Sequence, residues 1–343
     1  MVGGTVAVTG IAGSIGQRLL PLLESSPHVE RVIGLDVRDP ARRGRKLVFH
    51  RADIINADLA PYLHDVDTVV HLAAIVGPIP DEALMTRVNC EGTRRVLDAA
   101  ARAGVRRVVR LSSATVYGAW ENNPVPLTED AVLRPNPGYL PAILDAECER
   151  ALAEWSAARP DRIATRLRVA PVVGAGATSV FAAAATGRPP VRLRGAGAPV
   201  QVAHVDDVAR ALLVVIEDAH PGVFNVASDG WLAAEDARAL QTGRHLPSLP
   251  SEAAERVLQA LWNSGLGEAP PSVVPLLEHA WVVSNDRMKD LGWAPEHSNE
   301  EAILLASPAR PASPLPWIAA ATVVLSCAVG LIWALARLRR RSQ

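Results

Sequence analysis

Short apolar runs recur through the first two thirds of the chain, and stretches with helical spacing separate them. Thr5-Val6-Ala7-Val8-Thr9, Val32-Ile33-Gly34-Leu35, Leu47-Val48-Phe49-His50, Thr68-Val69-Val70-His71-Leu72, Arg107-Val108-Val109-Arg110-Leu111, Ile163 to Leu167 and Val223 to Ala227 predict strands. The most nearly continuous of them, such as Thr68 to Leu72, have the character of strands buried on both faces of a parallel sheet. Between them, Asp81 to Ala103 predicts one long helix that ends at Gly104. Val208 to Ile216 predicts another, with Asp206 and Asp207 capping its free N–H groups. Ala182 to Ala185 reads as helical, and Pro21 should kink or shorten the first helix. Strands alternating with helices give an α/β, doubly wound parallel sheet, with ligands at the carboxyl ends of the strands.

The first turn carries the clearest chemistry. Gly10-Ile11-Ala12-Gly13-Ser14-Ile15-Gly16 follows the first strand and opens the first helix. Gly10 permits a tight turn, Gly13 lets main chain approach a diphosphate, and Gly16 lets the helix lie close on the sheet. Asp36 ends the second strand, where a carboxylate takes ribose hydroxyls. Together they predict a Rossmann-type dinucleotide site. Asp36 favours NAD by repelling a 2′-phosphate, with Arg38, Arg42 and Arg43 close enough in sequence to oppose it.

Composition changes the picture at one end. Trp317 to Ala336 holds no charge, and Arg337, Arg339, Arg340 and Arg341 follow at once. About 20 apolar residues span a bilayer core. The expectation is a single-pass membrane protein: a Rossmann domain over residues 1–170, a substrate-binding region over 171–306, a linker over 307–316, a transmembrane helix over 317–336 and a basic tail over 337–343. The arginine cluster prefers the cytoplasmic side. That would put the large domain outside, but it starts directly in a strand with no export signal, so the large domain is the part expected in the cytoplasm. A net charge of −1 gives no reason to expect nucleic acid. Cys90, Cys148 and Cys327 have no metal-site spacing, and no metal is expected.

After the fifth strand comes Ser112-Ser113-Ala114-Thr115-Val116-Tyr117-Gly118. With the glycine turn, Asp36, Asp53-Ile54, His71-Leu72-Ala73-Ala74, Asn89, Arg166-Leu167-Arg168 with Gly174, and His204-Val205-Asp206-Asp207, this ordered set resembles the NAD-dependent epimerase/dehydratase family of extended short-chain dehydrogenases/reductases. The UDP-glucose 4-epimerase-like branch is the nearest in flavour. The resemblance implies NAD bound by residues 10–16, Asp36, Asp53, Ile54, Leu72, Ala73, Ala74, Asn89 and Tyr139. It implies Ser113 and Tyr139 as the reacting pair, and Arg168, Arg194 and His204 beside a small-molecule substrate such as a nucleotide-sugar. A homodimer is a further expectation. Arg188 and Arg192 also stand where relatives bind substrate phosphates, and Asn285 to Trp293 resembles the closing Leu-Gly-Trp turn of many relatives.

One position departs from the family. Four residues beyond Tyr139, where a lysine lowers the tyrosine pKa and holds the nicotinamide ribose, stands Ile143. A free tyrosine titrates near 10, and a cation favours its phenolate. Two readings stay open: an oxidoreductase or isomerase working by hydride transfer, and a membrane-anchored NAD-binding or scaffold protein. A steroid-dehydrogenase-like enzyme is a lesser third.

Overall fold

In the computed structural model, residues 4–177, 179–187, 189–195, 197–240 and 247–307 are described. Strand β1 (Gly4–Thr9) leads into helix α1 (Ser14–Ser25), then β2 (Val29–Asp36), β3 (Leu47–Arg51) and β4 (Thr68–His71). Helix α2 (Glu82–Thr86), one wide π-turn (Arg87–Glu91) and α3 (Gly92–Arg102) follow, then β5 (Arg107–Ser113), α4 (Leu140–Ala157) and β6 (Ile163–Val169). The chain continues through β7 (Val172–Val173), α5 (Val180–Ala185), β8 (Arg192–Leu193), β9 (Ala203–His204), α6 (Val205–Glu217) and β10 (Gly222–Val226). Smaller elements complete it: α7 (Ala234–Leu240), β11 (Ser248–Leu249), α8 (Ser251–Asn263), α9 (Val274–Glu278), α10 (Asp286–Lys289) and α11 (Asn299–Ala306).

Seven strands form one sheet in the order β10-β6-β5-β4-β1-β2-β3, every neighbouring pair parallel. The order reverses between β1 and β4, which is where a doubly wound sheet opens a crevice for its ligand. Val6, Val8, Val69, Val70, Val108 and Val109 are buried on the two faces, as their continuous apolar character requires. The last strand of the sheet, β10, comes from beyond residue 170, and α6 packs against α1.

Two expectations change. The long helix over 81–103 is interrupted by the π-turn, which turns Asn89 and Cys90 inward. Such turns are frequent at functional sites. Pro21 sits inside α1 without ending it. Helix α6 starts earlier than read, at Val205, and its N-cap is His204, whose Nδ1 accepts from the Asp206 amide at 3.4 Å. Asp207 is spent elsewhere. It accepts from the Glu296 and His297 amides at 3.1 and 3.2 Å and from Arg210, while its carbonyl takes the Trp293 indole N–H at 3.1 Å. The aspartate therefore anchors the Leu-Gly-Trp turn rather than capping its own helix. Residues 308–343, which include the expected membrane helix, the basic tail and Cys327, lie outside the described residues. Among the described residues no helix is long and apolar enough to cross a membrane.

Candidate active site

The glycine turn is tight enough to explain each glycine. Gly10 has φ +75°, and a Cβ there would lie 2.7 Å from the Ala73 amide nitrogen and 2.8 Å from the Leu72 carbonyl carbon. A Cβ on Gly16 would meet the Ile11 carbonyl oxygen at 2.6 Å. On Gly13 it would stand 3.1 Å from the Gly10 oxygen. Gly13 caps α1 without a side-chain bond, so the first amides of the helix have no internal acceptor. A bare helix N-terminus beside a glycine turn fits a diphosphate. Asp36 is held at the edge of this cradle, buried, its carboxylate accepting from the Ala12 and Arg38 amides at 2.9 Å each. Ile11 is buried beneath the turn, whereas Ala12, Ser14 and Ile15 stay partly open.

The loop after β4 is fastened from both sides. Asn89 donates to the Ile75 carbonyl at 2.9 Å and accepts from the Ile75 amide at 2.8 Å. The Thr9 hydroxyl accepts from the Ala73 amide at 3.3 Å and meets His71 Nδ1 at 2.7 Å. His71 Nε2 lies 2.9 Å from the Thr93 hydroxyl, which donates to the Asn89 carbonyl at 2.5 Å. Since Thr93 spends its proton there, it accepts from Nε2–H, and Nδ1 accepts from Thr9. Leu72, Ala73 and Ala74 are thus fixed opposite Gly10. Asp53 makes a local turn, accepting from the Ile55 amide at 2.9 Å and from Asn56 at 2.6 Å. Ile54 is buried under Gly92.

At the end of β5, Ser113 caps a short turn over residues 114–117. Its oxygen accepts from the Thr115 amide at 3.2 Å and the Thr115 hydroxyl at 2.8 Å, which leaves its own proton to donate. Tyr139 is the N-cap residue of α4 and is buried, its ring edge-on to Phe181 with centroids 5.7 Å apart. Burial, then the Asp145 carboxylate, pushes its phenol well above the ordinary tyrosine value. No hydrogen bond joins Ser113 to Tyr139 among the described residues. Ile143 is 37% exposed, an apolar side chain left open where the family places its cation.

The three residues expected beside the substrate part company. Arg168 is buried, and its guanidinium is consumed by a framework: Glu149 at 2.7 Å from Nη2 and 3.0 Å from Nε, and the Tyr117 hydroxyl at 2.9 Å from Nη1. Ser112 donates to Glu149 at 2.6 Å, and Tyr117 donates to Asn225 at 2.8 Å. Its donors are committed to the protein, which corrects the substrate role given to Arg168. Arg194 is exposed just past β8. His204 is buried and stacks on His297 with ring centroids 3.9 Å apart, and burial first, then His297, lowers its pKa. Arg188 lies outside the described residues.

A cleft of about 140 Å³ opens beside Phe181, lined by Pro171, Val191, Leu193, Leu276 and Trp281, with Arg192 and Arg238 among the few polar groups. Phe181 also stacks on Trp281 at 5.2 Å, so one aromatic row runs from Tyr139 into the cleft. Gln201 lines it too, but its amide is bonded to the Gly230 and Val283 carbonyls and the Val283 amide. No local sequence signal marks this cleft, because its walls come from six separate stretches of mostly ordinary apolar residues.

The model of the NAD dependent epimerase/dehydratase family matches residues 6–227. The chain belongs to this family. An uncharacterised protein of Mycobacterium tuberculosis is 30% identical over 312 residues, covering 87% of this chain and 81% of its own. A 3-diazoavenalumate denitrifying reductase of a Streptomyces species is 28% identical, covering 85% and 96%. The solved structure of MoeE5 in complex with UDP-glucose and NAD superposes with a TM-score of 0.66 at 25% identity, covering 88% of this chain and 97% of that one. NAD, the cofactor expected from the sequence, is the family's cofactor.

Proposed function

We propose that this protein is an NAD-dependent enzyme of the epimerase/dehydratase type, moving hydride to and from an alcohol carbon of a nucleotide-sugar or a related alcohol. The observation that carries the reading is the cradle at Gly10, Gly13 and Gly16, which follows β1 of the sheet whose β5 ends in Ser113, together with Tyr139 at the start of α4. MoeE5, whose sheet this chain shares, is known with UDP-glucose and NAD, which supports the substrate class. Residues 10–16, Asp36, Leu72, Ala73 and Ala74 would hold NAD, which supplies the hydride acceptor or donor when bound. Ser113 donates its free proton to the substrate oxygen. Tyr139, raised by burial and with no cation four residues on, stays a phenol at neutral pH. It serves as acid toward a carbonyl oxygen more readily than as base toward an alcohol.

That sign makes the test specific. Oxidation of an alcohol should be slow near neutrality and still rising at pH 10, and Tyr139→Phe should abolish it. Ile143→Lys should lower the phenol pKa and raise the neutral rate about tenfold or more, the worth of one pKa unit. Equal rates for wild type and Tyr139→Phe on a panel of nucleotide-sugars would defeat the enzymatic reading. Turnover that appears only in Ile143→Lys would make the natural protein a binder.

A second reading is favoured by the cleft. Its apolar walls and aromatic row suit a substrate with an apolar body, and a reductase with a non-sugar substrate name is a relative over 85% of this chain. Adding apolar alcohols and ketones, including steroids, to the same panel separates the two classes.

A further inference from the structure

Beside the loop that faces the cradle lies a pair of thiols the proposed reaction does not use. Cys90 sits in the π-turn next to Asn89, and Cys148 lies on α4, the helix that Tyr139 opens. Their Sγ atoms are 3.7 Å apart, and both residues are buried. Cys148 Sγ also approaches the Asn89 carbonyl at 3.3 Å, and Cys90 Sγ lies 3.5 Å from a Glu147 carboxylate oxygen and 3.7 Å from the Leu144 carbonyl. The Glu147 side chain is partly exposed, so the pair lies one side chain beneath the surface.

The surroundings are uneven. Arg110, buried in β5, bonds Asp145 through Nη2 at 2.7 Å, while its Nε and Nη1 are buried with no hydrogen-bond partner. The hydrogen bond from Cys90, and after it this charge, draw the Cys148 thiol below its ordinary value, against the opposing effect of burial. The Cys90 thiol moves upward, chiefly through its bond to Cys148 and through burial. One sulfur is thus the better nucleophile and the other stays a thiol beside it, which is the arrangement of a reacting and a resolving cysteine.

We propose that Cys90 and Cys148 form a reversible disulfide on exposure to a hydroperoxide, and that this bond loosens the NAD loop through Asn89. The Cys148 thiolate attacks the O–O bond, takes one oxygen as a sulfenic acid and releases the alcohol. Cys90 sulfur then attacks the sulfenic sulfur, and hydroxide leaves with the Cys90 proton as water. Two thiols and one hydroperoxide give one disulfide, one alcohol and one water. The sulfurs must close from 3.7 Å to about 2.05 Å. Cys148 then withdraws from the Asn89 carbonyl and the π-turn is drawn toward α4. Asn89 holds both main-chain groups of Ile75, so its displacement is felt at Leu72 to Ala74. The consequence for NAD rests on the function proposed above; formation of the bond does not.

The test uses the full chain with Cys327→Ser, treated with hydrogen peroxide, then alkylated under denaturing conditions and mapped by mass spectrometry. The expected result is one cross-linked peptide pair joining Cys90 to Cys148, absent in Cys90→Ala and Cys148→Ala and reversed by dithiothreitol. NAD affinity by calorimetry should fall about tenfold on oxidation and recover on reduction, within the usual span of coupling between sites. Two alkylated thiols after peroxide, or a cross-link that leaves NAD affinity unchanged, would overturn the proposal. A reduced protein that binds no NAD would instead overturn the cofactor reading, with the peptide map still deciding the bond.

Discussion

The cradle after β1 and the charge network at β5 and β6 hold two regions of one sheet, on either side of β4, by opposite means. The cradle works because side chains are missing: the Ala73 amide nitrogen lies 2.7 Å from where a Gly10 Cβ would stand. The network works because side chains are present and paired. Arg168, Glu149, Ser112, Tyr117 and Asn225 close a buried set of bonds between 2.6 and 3.0 Å. Glu129 joins by accepting the Asn225 amide at 2.7 Å, and Arg287 reaches Glu129 at 3.7 Å and pairs with Asp130. One region is specialised for a ligand at little electrostatic risk. The other is a support whose charges are tolerable only together.

Removing one partner from each region should therefore fail differently. Glu149→Gln leaves the buried Arg168 guanidinium short of its counter-charge, and breaking such a pair costs about 3–5 kcal/mol. Denaturant unfolding should show that loss, while the protein that remains folded binds NAD with wild-type affinity. Gly10→Ala should do the reverse. Forcing a Cβ residue into a left-handed conformation costs of order 1–2 kcal/mol in stability. Its collision with the Ala73 nitrogen should lower NAD affinity by more than about a hundredfold, the scale of a few kcal/mol. If calorimetry finds Gly10→Ala binding normally, or Glu149→Gln proves as stable as wild type, the division between the regions is broken.

The same contrast explains what the sequence made legible. Glycine spacing, Asp36 and the apolar runs are local signals, and they place the sheet, the cradle and the order of elements. The network is not local. Its members are spread from Ser112 to Arg287, and only folding shows that Arg168 faces Glu149 rather than a substrate. Ser113 and Tyr139 stand out by their motif, but the phenol's environment is set by Phe181, contributed by α5. The π-turn is not legible because it is a single turn set between α2 and α3 within one helix-like run. Asp207 misleads for a related reason. An acid in a helix's first turn looks like a cap until the segment 293–297 arrives to claim it.

His71 lies at the end of β4, between the cradle and the network, and carries a smaller effect. Both ring nitrogens are bonded to threonine hydroxyls, and burial, then the Arg110 charge, lowers its pKa to about 3. In the unfolded chain it returns to about 6.5. The unfolded state therefore binds a proton between those limits that the native state refuses. Its stabilising contribution is complete above pH 6.5 and is lost progressively as pH falls toward 3. At pH 5 the loss amounts to about 2 kcal/mol. His71→Gln cannot titrate, so the difference in unfolding free energy between wild type and variant should narrow by that amount from pH 7 to pH 5. The carboxyls of Glu129 and Asp145, raised by burial, act with the opposite sign but are common to both proteins and cancel. Protonation of Nδ1 would leave the Thr9 hydroxyl without its acceptor, but the folded protein takes that proton only near pH 3, so NAD affinity should stay flat from pH 7 to pH 5. An affinity that falls between pH 7 and pH 5 in the wild type but not in His71→Gln would show that His71 takes its proton in the folded protein, and would defeat the stability difference expected above.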